Sequence, residues 1–398
     1  MHDGVSDGSP HTPDSPHTPR TAVPRPVHLS RATFLRASTV GAADLAGASL
    51  LGRSAYATEP GPATGRPRPV YGTGPLQVTK VADLTGPGIT TRFRMEATDL
   101  GVPVRVPDGR LMFVFGDTFE EGRVGGGWWR SPTALYGRFG GPGGRVVWTG
   151  AVGGRHARQL WPYDHDGPEY TTVLPSDAIT IGGTVYLHVM VNKGLGNVVR
   201  TEIWRSDDSG SSWTRTGAVF PPGLHGGMFQ LLTWALGEDG YVYVLSTGFQ
   251  RDKPVILHRV RASRLTDPAA YEPWGYSGGG WAWGNPPAPV LDGRFGEMCL
   301  RPLGGRWVLT WFDQGGYRID GLVADHPAAD LRGAHRRTLL WGTEWGKEDD
   351  THVAQLYGGY VVPGSTLDDL HLAVSQWNTA KGWPYRVMQF RVRGLGPV

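Results

Sequence analysis

The chain of 398 residues has one cysteine, Cys299. No intramolecular disulfide and no cysteine-built metal cluster can form from it, so stability has to come from a buried core. Charge is scarce too: Asp, Glu, Lys and Arg make up 19% of the chain, the formal net charge is +3, and the basic residues form no run or stripe. The electrostatic footprint of a nucleic-acid binder is therefore missing. No stretch reaches the ~18 consecutive apolar residues of a membrane-spanning helix. No Gly-rich stretch follows a strand and opens a helix, which removes nucleotide binding. His225 and His352 fall in loop-like segments without H-E-x-x-H or comparable spacing, so no catalytic metal and no required cofactor are expected, while a structural ion in a central channel is left open.

What the chain does have is 60 Gly, 32 Pro and 16 Trp, the composition of a turn-rich, aromatic-rich β protein. Residues 1–28 are Pro/Ser/His-rich and too poor in apolar residues to bury anything, and are expected to be disordered. Residues 29–57 contain "SRATFLRASTVGAADLAGASLLGRSAYA". This resembles a twin-arginine export signal, with Ala32 in place of the second arginine, Asp44 interrupting the apolar stretch and an A-x-A-like site at Ala55-Tyr56-Ala57. An exported, extracellular or cell-wall-associated protein is the expectation. A linker over 58–68 would lead into one domain, 69–398, a length that a single all-β core can absorb.

Five runs within that domain share one plan. "RLMFVFGD", "GTVYLHVMV", "GYVYVLSTG", "RWVLTWFD" and "DLHLAVSQW" each follow a tight-turn signal ("PDGR", "IGGT", "EDGY", "LGGR", "STLDD") and end on a polar or small residue. Their spacing of roughly 50 to 75 residues is that of four-stranded propeller blades. The pattern predicts an all-β, five-bladed β-propeller, with the early "YGTGPLQVTKVADL" completing the last blade. "SDDSGSSW" matches the Asp-box turn, in which Asp208 would tie down the backbone between Ser206 and Gly210 while Trp213 packs beneath.

Two aspartates frame one of these hairpins. Pro107-Asp108-Gly109 suits a three-residue loop with Gly109 left-handed; Val106 would then pair with Arg110, bringing Asp99 opposite Asp117. Directly opposed Cβ atoms lie about 4.5–5.5 Å apart, so two carboxylates there would drive their pKa values apart, as general acid and base work requires. A two-residue loop would instead put them on opposite faces. The alternative, in either register, is that Asp117 in "GDTF" bonds a strand-end backbone and Asp99 caps a turn, as aspartates commonly do.

The ordered set "TDLGVP…DGRLMFVFGDTF…GGGWWRSP", "GYVYVLSTGF", "YEPWGY", "FGEMCL" and "LAVSQWN…YRVMQFRV" resembles the bacterial family once catalogued only as a domain of unknown function and later recognised as endo-D-arabinanases. The resemblance runs over nearly all of residues 69–393. It implies a five-bladed propeller that hydrolyses α-linked D-arabinofuranose chains, such as the arabinan of arabinogalactan or lipoarabinomannan. It also implies Asp99 and Asp117 as the catalytic carboxylates. Pro132 departs from the family pattern, as does the late "YGGYVVPG", and both departures bear on substrate subsites.

Glycoside cleavage needs an acid for the leaving oxygen and a base or nucleophile at the anomeric carbon, and Asp99 and Asp117 are the candidates for those roles. A separation near ~5 Å favours retention, and the guessed pairing leans that way. Asp177 in "LPSDAI" and Glu297 in "FGEMC" are supporting carboxylates or an alternative acid. Trp128, Trp129 and Arg130, with Trp377 and Asn378, are candidates for substrate platforms and hydroxyl ligands. Two other functions stay in view. One is a non-catalytic carbohydrate-binding propeller; the other is a sialidase-type hydrolase, which shares the Asp-box but needs an early Arg-Ile-Pro signature that is absent.

Overall fold

The computed structural model describes Met1, residues 71–141 and residues 143–397. The expected tail 1–28, export signal 29–57 and linker 58–68 lie outside the described residues.

Strand β1 (Gln77–Asp83) is followed by five antiparallel sheets in chain order. The first is β2 (Ala97–Arg105), β3 (Leu111–Phe119), β5 (Thr133–Phe139) and β6 (Val146–Ala151), with the two-residue β4 (Trp129–Arg130) paired onto the end of β3. The second is β7 (Thr172–Ile181), β8 (Thr184–Asn192), β9 (Val198–Ser206) and β10 (Thr214–Phe220). The third is β11 (Leu231–Leu236), β12 (Tyr241–Thr247), β13 (Ile256–Arg261), β14 (Glu272–Ser277) and β15 (Gly280–Trp283). The fourth is β16 (Phe295–Leu303), β17 (Arg306–Asp313), β18 (Arg318–Ala324), β19 (Arg337–Thr343) and β20 (His352–Ala354), the last added in parallel. The fifth is β21 (Leu356–Val361), β22 (Leu370–Trp377) and β23 (Tyr385–Arg393), completed at its outer edge by β1. This is the expected five-bladed propeller, closed by pairing the first strand with the last.

The five apolar runs read from the sequence are β3, β8, β12, β17 and β22, the second strand of every blade. Each is covered on both faces, which is why it is apolar almost throughout and not alternating. The innermost strands β2, β7, β11, β16 and β21 neighbour one another in a ring. A buried Ser or Thr hydroxyl stitches each junction to the next blade's backbone: Ser131 to Val173 (2.7 Å), Ser176 to Leu232 (2.7 Å), Thr233 to Leu300 (2.8 Å), Thr310 to Gly359 (2.6 Å) and Ser375 to Leu100 (2.8 Å). Backbone groups that no strand can pair at the crowded axis are satisfied this way.

The Asp-box segment forms the turn between β9 and β10. Asp208 accepts from the Ser206 hydroxyl (2.8 Å) and Ser212 N (2.9 Å), Gly210 N donates to the Ser206 hydroxyl (2.8 Å), and the buried Trp213 indole donates to Gly210 O (3.0 Å).

Candidate active site

Inner strands begin, and second strands end, at the same end of the propeller. There they enclose a cavity of about 800 Å³. Its wall takes Asp99 from the start of β2, Pro175 from β7, Glu297 from β16 and Tyr357 from β21, together with Asp117 and Trp377 from the ends of β3 and β22.

The hairpin carrying the two aspartates has the three-residue loop: Val106 N donates to Arg110 O (3.0 Å), Gly109 N to Val106 O (2.9 Å), and Gly109 is left-handed at φ 87°. Pairing is regular from Arg105↔Leu111 to Val102↔Val114 and again at Thr98↔Thr118. Between them both strands bulge, with Leu100 and Gly101 left-handed at φ 63° and 74°. A bulge re-aims side chains, and Asp99 and Asp117 both face the cavity within it. Gly116 is required by this arrangement, because a Cβ on it would lie 2.4 Å from Asp99 Oδ1.

The two carboxyls have different surroundings. Asp99, 9% exposed, accepts a hydrogen bond from the Tyr357 hydroxyl (2.9 Å). Burial, and then the negative charge of Asp117, push its pKa up to about 8 against bonds from Tyr385 and Tyr357 that pull the other way. Asp99 therefore carries a proton at neutral pH. Asp117, 5% exposed, is also raised by burial. It is opposed by the Thr172 hydroxyl and the Trp129 indole, each donating to Oδ1 at 2.8 Å, and by nearby Ser131. Two donors on Asp117, against the single Tyr357 bond on Asp99 whose buried Oδ1 has no partner, favour the ionised form of Asp117 over that of its neighbour. Glu297 is buried and held by Arg251 (2.5 Å), whose guanidinium also lies 5.1 Å from the Tyr357 and Phe312 ring centres.

Several sequence-selected residues stand elsewhere. Asp177 is fully buried away from the cavity and saturated by Arg301 (2.7 and 2.9 Å), the Thr233 hydroxyl (2.6 Å), Trp234 N (3.1 Å) and Ala178 N (2.8 Å). It staples three blades and has no capacity left for a sugar or a proton, so the supporting-acid reading of Asp177 is corrected. Arg130 is fully buried and donates to the backbone carbonyls of Ala157 (2.6 Å), Arg94 and Trp128. It braces the loop after β3 and is not a hydroxyl ligand. Trp128 packs against the guanidinium groups of Arg130 (4.2 Å) and Arg94 (5.4 Å) and does not line the cavity. Asn378, 5% exposed, accepts from Lys381 N (3.0 Å) and closes a turn. Trp129 is no platform either: it stacks between Phe119 and His165 and orients Asp117. Trp377 does line the wall.

Sequence reading missed Tyr357, Tyr385, Thr172 and Arg251, which surround the aspartates, and the neutral rim residues Gln250, Gln314, Gln355, Tyr317 and Thr379. Among the four, Tyr357 in "YGGYVVPG" and Tyr385 in "YRVMQFRV" lay in motifs already quoted, and Thr172 and Arg251 carried no signal.

A five-bladed propeller with a pair of buried, unequally supported aspartates at the mouth of its axis is the class that fold and site define. The family model described as "Domain of unknown function (DUF4185)" matches residues 85–391, and the chain belongs to that family. It is 31% identical over 339 residues to the "Uncharacterized 35.9 kDa protein in asd 3'region" of Mycolicibacterium smegmatis, covering 80% of this chain and 99% of the relative. It is 30% identical over 318 residues to "Notoamide biosynthesis cluster protein J'" of Aspergillus versicolor, covering 72% and 83%. Among solved structures, one from Bacteroides ovatus ATCC 8483 aligns with a TM-score of 0.56 at 14% identity over 80% of this chain and 90% of that chain. That likeness concerns the fold alone.

Proposed function

We propose that this protein is an exported glycoside hydrolase that cuts within chains of α-linked D-arabinofuranose, an endo-D-arabinanase acting on cell-wall arabinan. The observation that carries the reading is the unequal support of two buried carboxyls in one cavity. Asp99, protonated at neutral pH, gives its proton to the glycosidic oxygen as the C–O bond breaks. Asp117, ionised, supplies the electron pair at the anomeric carbon, directly or by taking a proton from the attacking water. Tyr357 and Tyr385 position Asp99; Trp129 and Thr172 position Asp117. Glu297, neutralised by Arg251, sits where it can accept from a sugar hydroxyl.

Apart from Arg294 and the Arg251–Glu297 pair, the rest of the wall is uncharged and suits a neutral glycan. Gln250, Gln314, Gln355 and Thr379 offer uncharged donors and acceptors, and Trp377, Phe249 and Tyr317 offer flat faces. About 800 Å³ is in the upper part of the usual range for such sites, room for more than one sugar ring. The arabinan assignment rests on the "DLG…FGDTF…WRS" resemblance. Export rests on the segment ending at Ala57, and a secreted form starting at Thr58 by mass spectrometry would support it.

The test is incubation of the protein from Thr58 with purified mycobacterial arabinogalactan, comparing wild type with Asp99→Asn and Asp117→Asn. Oligosaccharides from wild type alone support the proposal. No release from wild type that still binds the polymer would overturn it in favour of a non-catalytic carbohydrate-binding propeller.

A further inference from the structure

The third blade carries an extra hairpin, β14–β15, that the catalytic reading does not use. Its register sets Trp274 opposite Trp283 and Tyr276 opposite Trp281. Alternation along both strands therefore puts all four rings on one face. They form a continuous ladder, with centroids 4.8 Å apart for Trp274–Trp283, 6.0 Å for Trp274–Trp281 and 5.9 Å for Tyr276–Trp281. The other face carries Gly275 and Ala282 and is sealed by the returning chain: a Cβ on Gly275 would lie 1.8 Å from Pro286 O, and the Asn285 amide donates to Gly275 O (3.1 Å). The inner rungs, Trp274 and Trp283, pack on the blade core, while Tyr276 (46% exposed) and Trp281 (37%) stand in solvent.

Position and charge narrow what this ladder meets. Trp274 pairs with Leu257, next to the β13 end that faces the cavity, so the tip beyond it projects past β13 on the cavity-bearing end of the propeller. From Pro273 through Leu291 there is no charged residue, and the guanidinium of Arg259, which lies 4.4 Å from the Trp283 ring centre, is already paired with Glu272 (2.8 Å), so an anionic ligand finds no free partner on the hairpin. Two exposed rings bury at most ~500 Å², well short of the ~800 Å² per partner of a stable protein interface. Flat rings with open faces and water at their edges suit the C–H face of a sugar, whose hydroxyls stay hydrated.

We propose that Tyr276 and Trp281 form a second, non-catalytic binding site for a neutral polysaccharide. It holds a distant part of the same chain that the cavity cleaves, an inference that rests on reading the cavity as a glycan site. Holding the polymer at two points raises its effective concentration at the cavity.

The test compares Tyr276→Ala/Trp281→Ala with its parent in affinity electrophoresis through mycobacterial arabinogalactan, both in an Asp117→Asn background so that no chain is cut. Hydrolysis of a short arabinofuranosyl oligosaccharide, too short to reach the hairpin, is measured in the Asp117 background. Each ring lost is expected to weaken retention about threefold to tenfold. Short-oligosaccharide turnover and melting temperature should be unchanged. Equal retention of variant and parent, or no retention of the parent, overturns the site. So does unchanged retention accompanied by loss of a dimer in light scattering, which would assign the face to a second copy of the chain. Failure of the hydrolase reading shows separately, as absence of turnover with the retention difference intact.

Discussion

Replacing Asp99 by Asn should make the protein inactive and more stable at the same time. Folding moves this carboxyl from the ordinary value of 3.8 to about 8. Between those two pH values the unfolded chain releases the proton and the folded chain keeps it, so wild-type stability falls by about 1.4 kcal/mol per pH unit. At pH 7 the accumulated cost is on the order of 4 kcal/mol, rising until about pH 8, where the folded form ionises as well and the cost levels off. An amide of the same shape has no charge to desolvate and can still accept from Tyr357. Urea unfolding of wild type and Asp99→Asn at pH 4, 5.5, 7 and 8.5 reads this directly. The curves should nearly coincide at pH 4 and separate progressively, and at pH 7 the variant should melt higher by roughly 5–10 °C. A variant no more stable than wild type at pH 8.5, or a gap independent of pH, would refute the account of Asp99 as a carboxyl kept neutral at a cost in stability.

Other expectations concern its neighbours. Activity should decline above about pH 8, where Asp99 ionises. Trp129→Phe removes a donor that lowers the Asp117 pKa, so the acidic limb of the pH–rate profile should move to higher pH while the alkaline limb stays in place. Gly116→Ala forces the Asp99 carboxyl aside and crowds Leu100 and Leu174; kcat should drop by on the order of 10²-fold and stability by about 1–3 kcal/mol, and a fully active variant would contradict the packing described. Arg301→Met leaves Asp177 buried without its counter-charge, and should destabilise the protein by about 3–5 kcal/mol in chemical unfolding; a change under ~1 kcal/mol would show that the Asp177–Arg301 pair is not the staple between blades.

The glycine-turn signals and the five apolar runs were legible because β3, β8, β12, β17 and β22 are buried on both faces, which forces a near-continuous apolar code. The innermost strands gave weaker signals. Their close packing at the axis calls for Gly, Pro, Ser and Thr, residues that also mark loops. The aspartate hairpin was readable for a local reason: the Pro107-Asp108-Gly109 turn fixes the register within a few residues. Even so, the two bulges that turn Asp99 and Asp117 into the cavity had no reliable sequence mark beyond Gly101 and Gly116.

Sequence by itself determined the all-β class and the blade count, since turn signals and doubly covered apolar strands are written in residues near in the chain, and it offered the three-residue hairpin as one of two registers. Only the tertiary structure decided which polar residues face the cavity and which hold blades together. Asp177 and Asp117 both sit in strands among small residues, yet one meets Arg301, 124 residues away, and the other faces the cavity and meets Thr172, 55 residues away. Tyr357 reaches Asp99 across 258 residues. Ring closure creates these meetings, and the environment it builds, with one oxygen of Asp99 left without a partner and two donors converging on Asp117, separates their proton affinities.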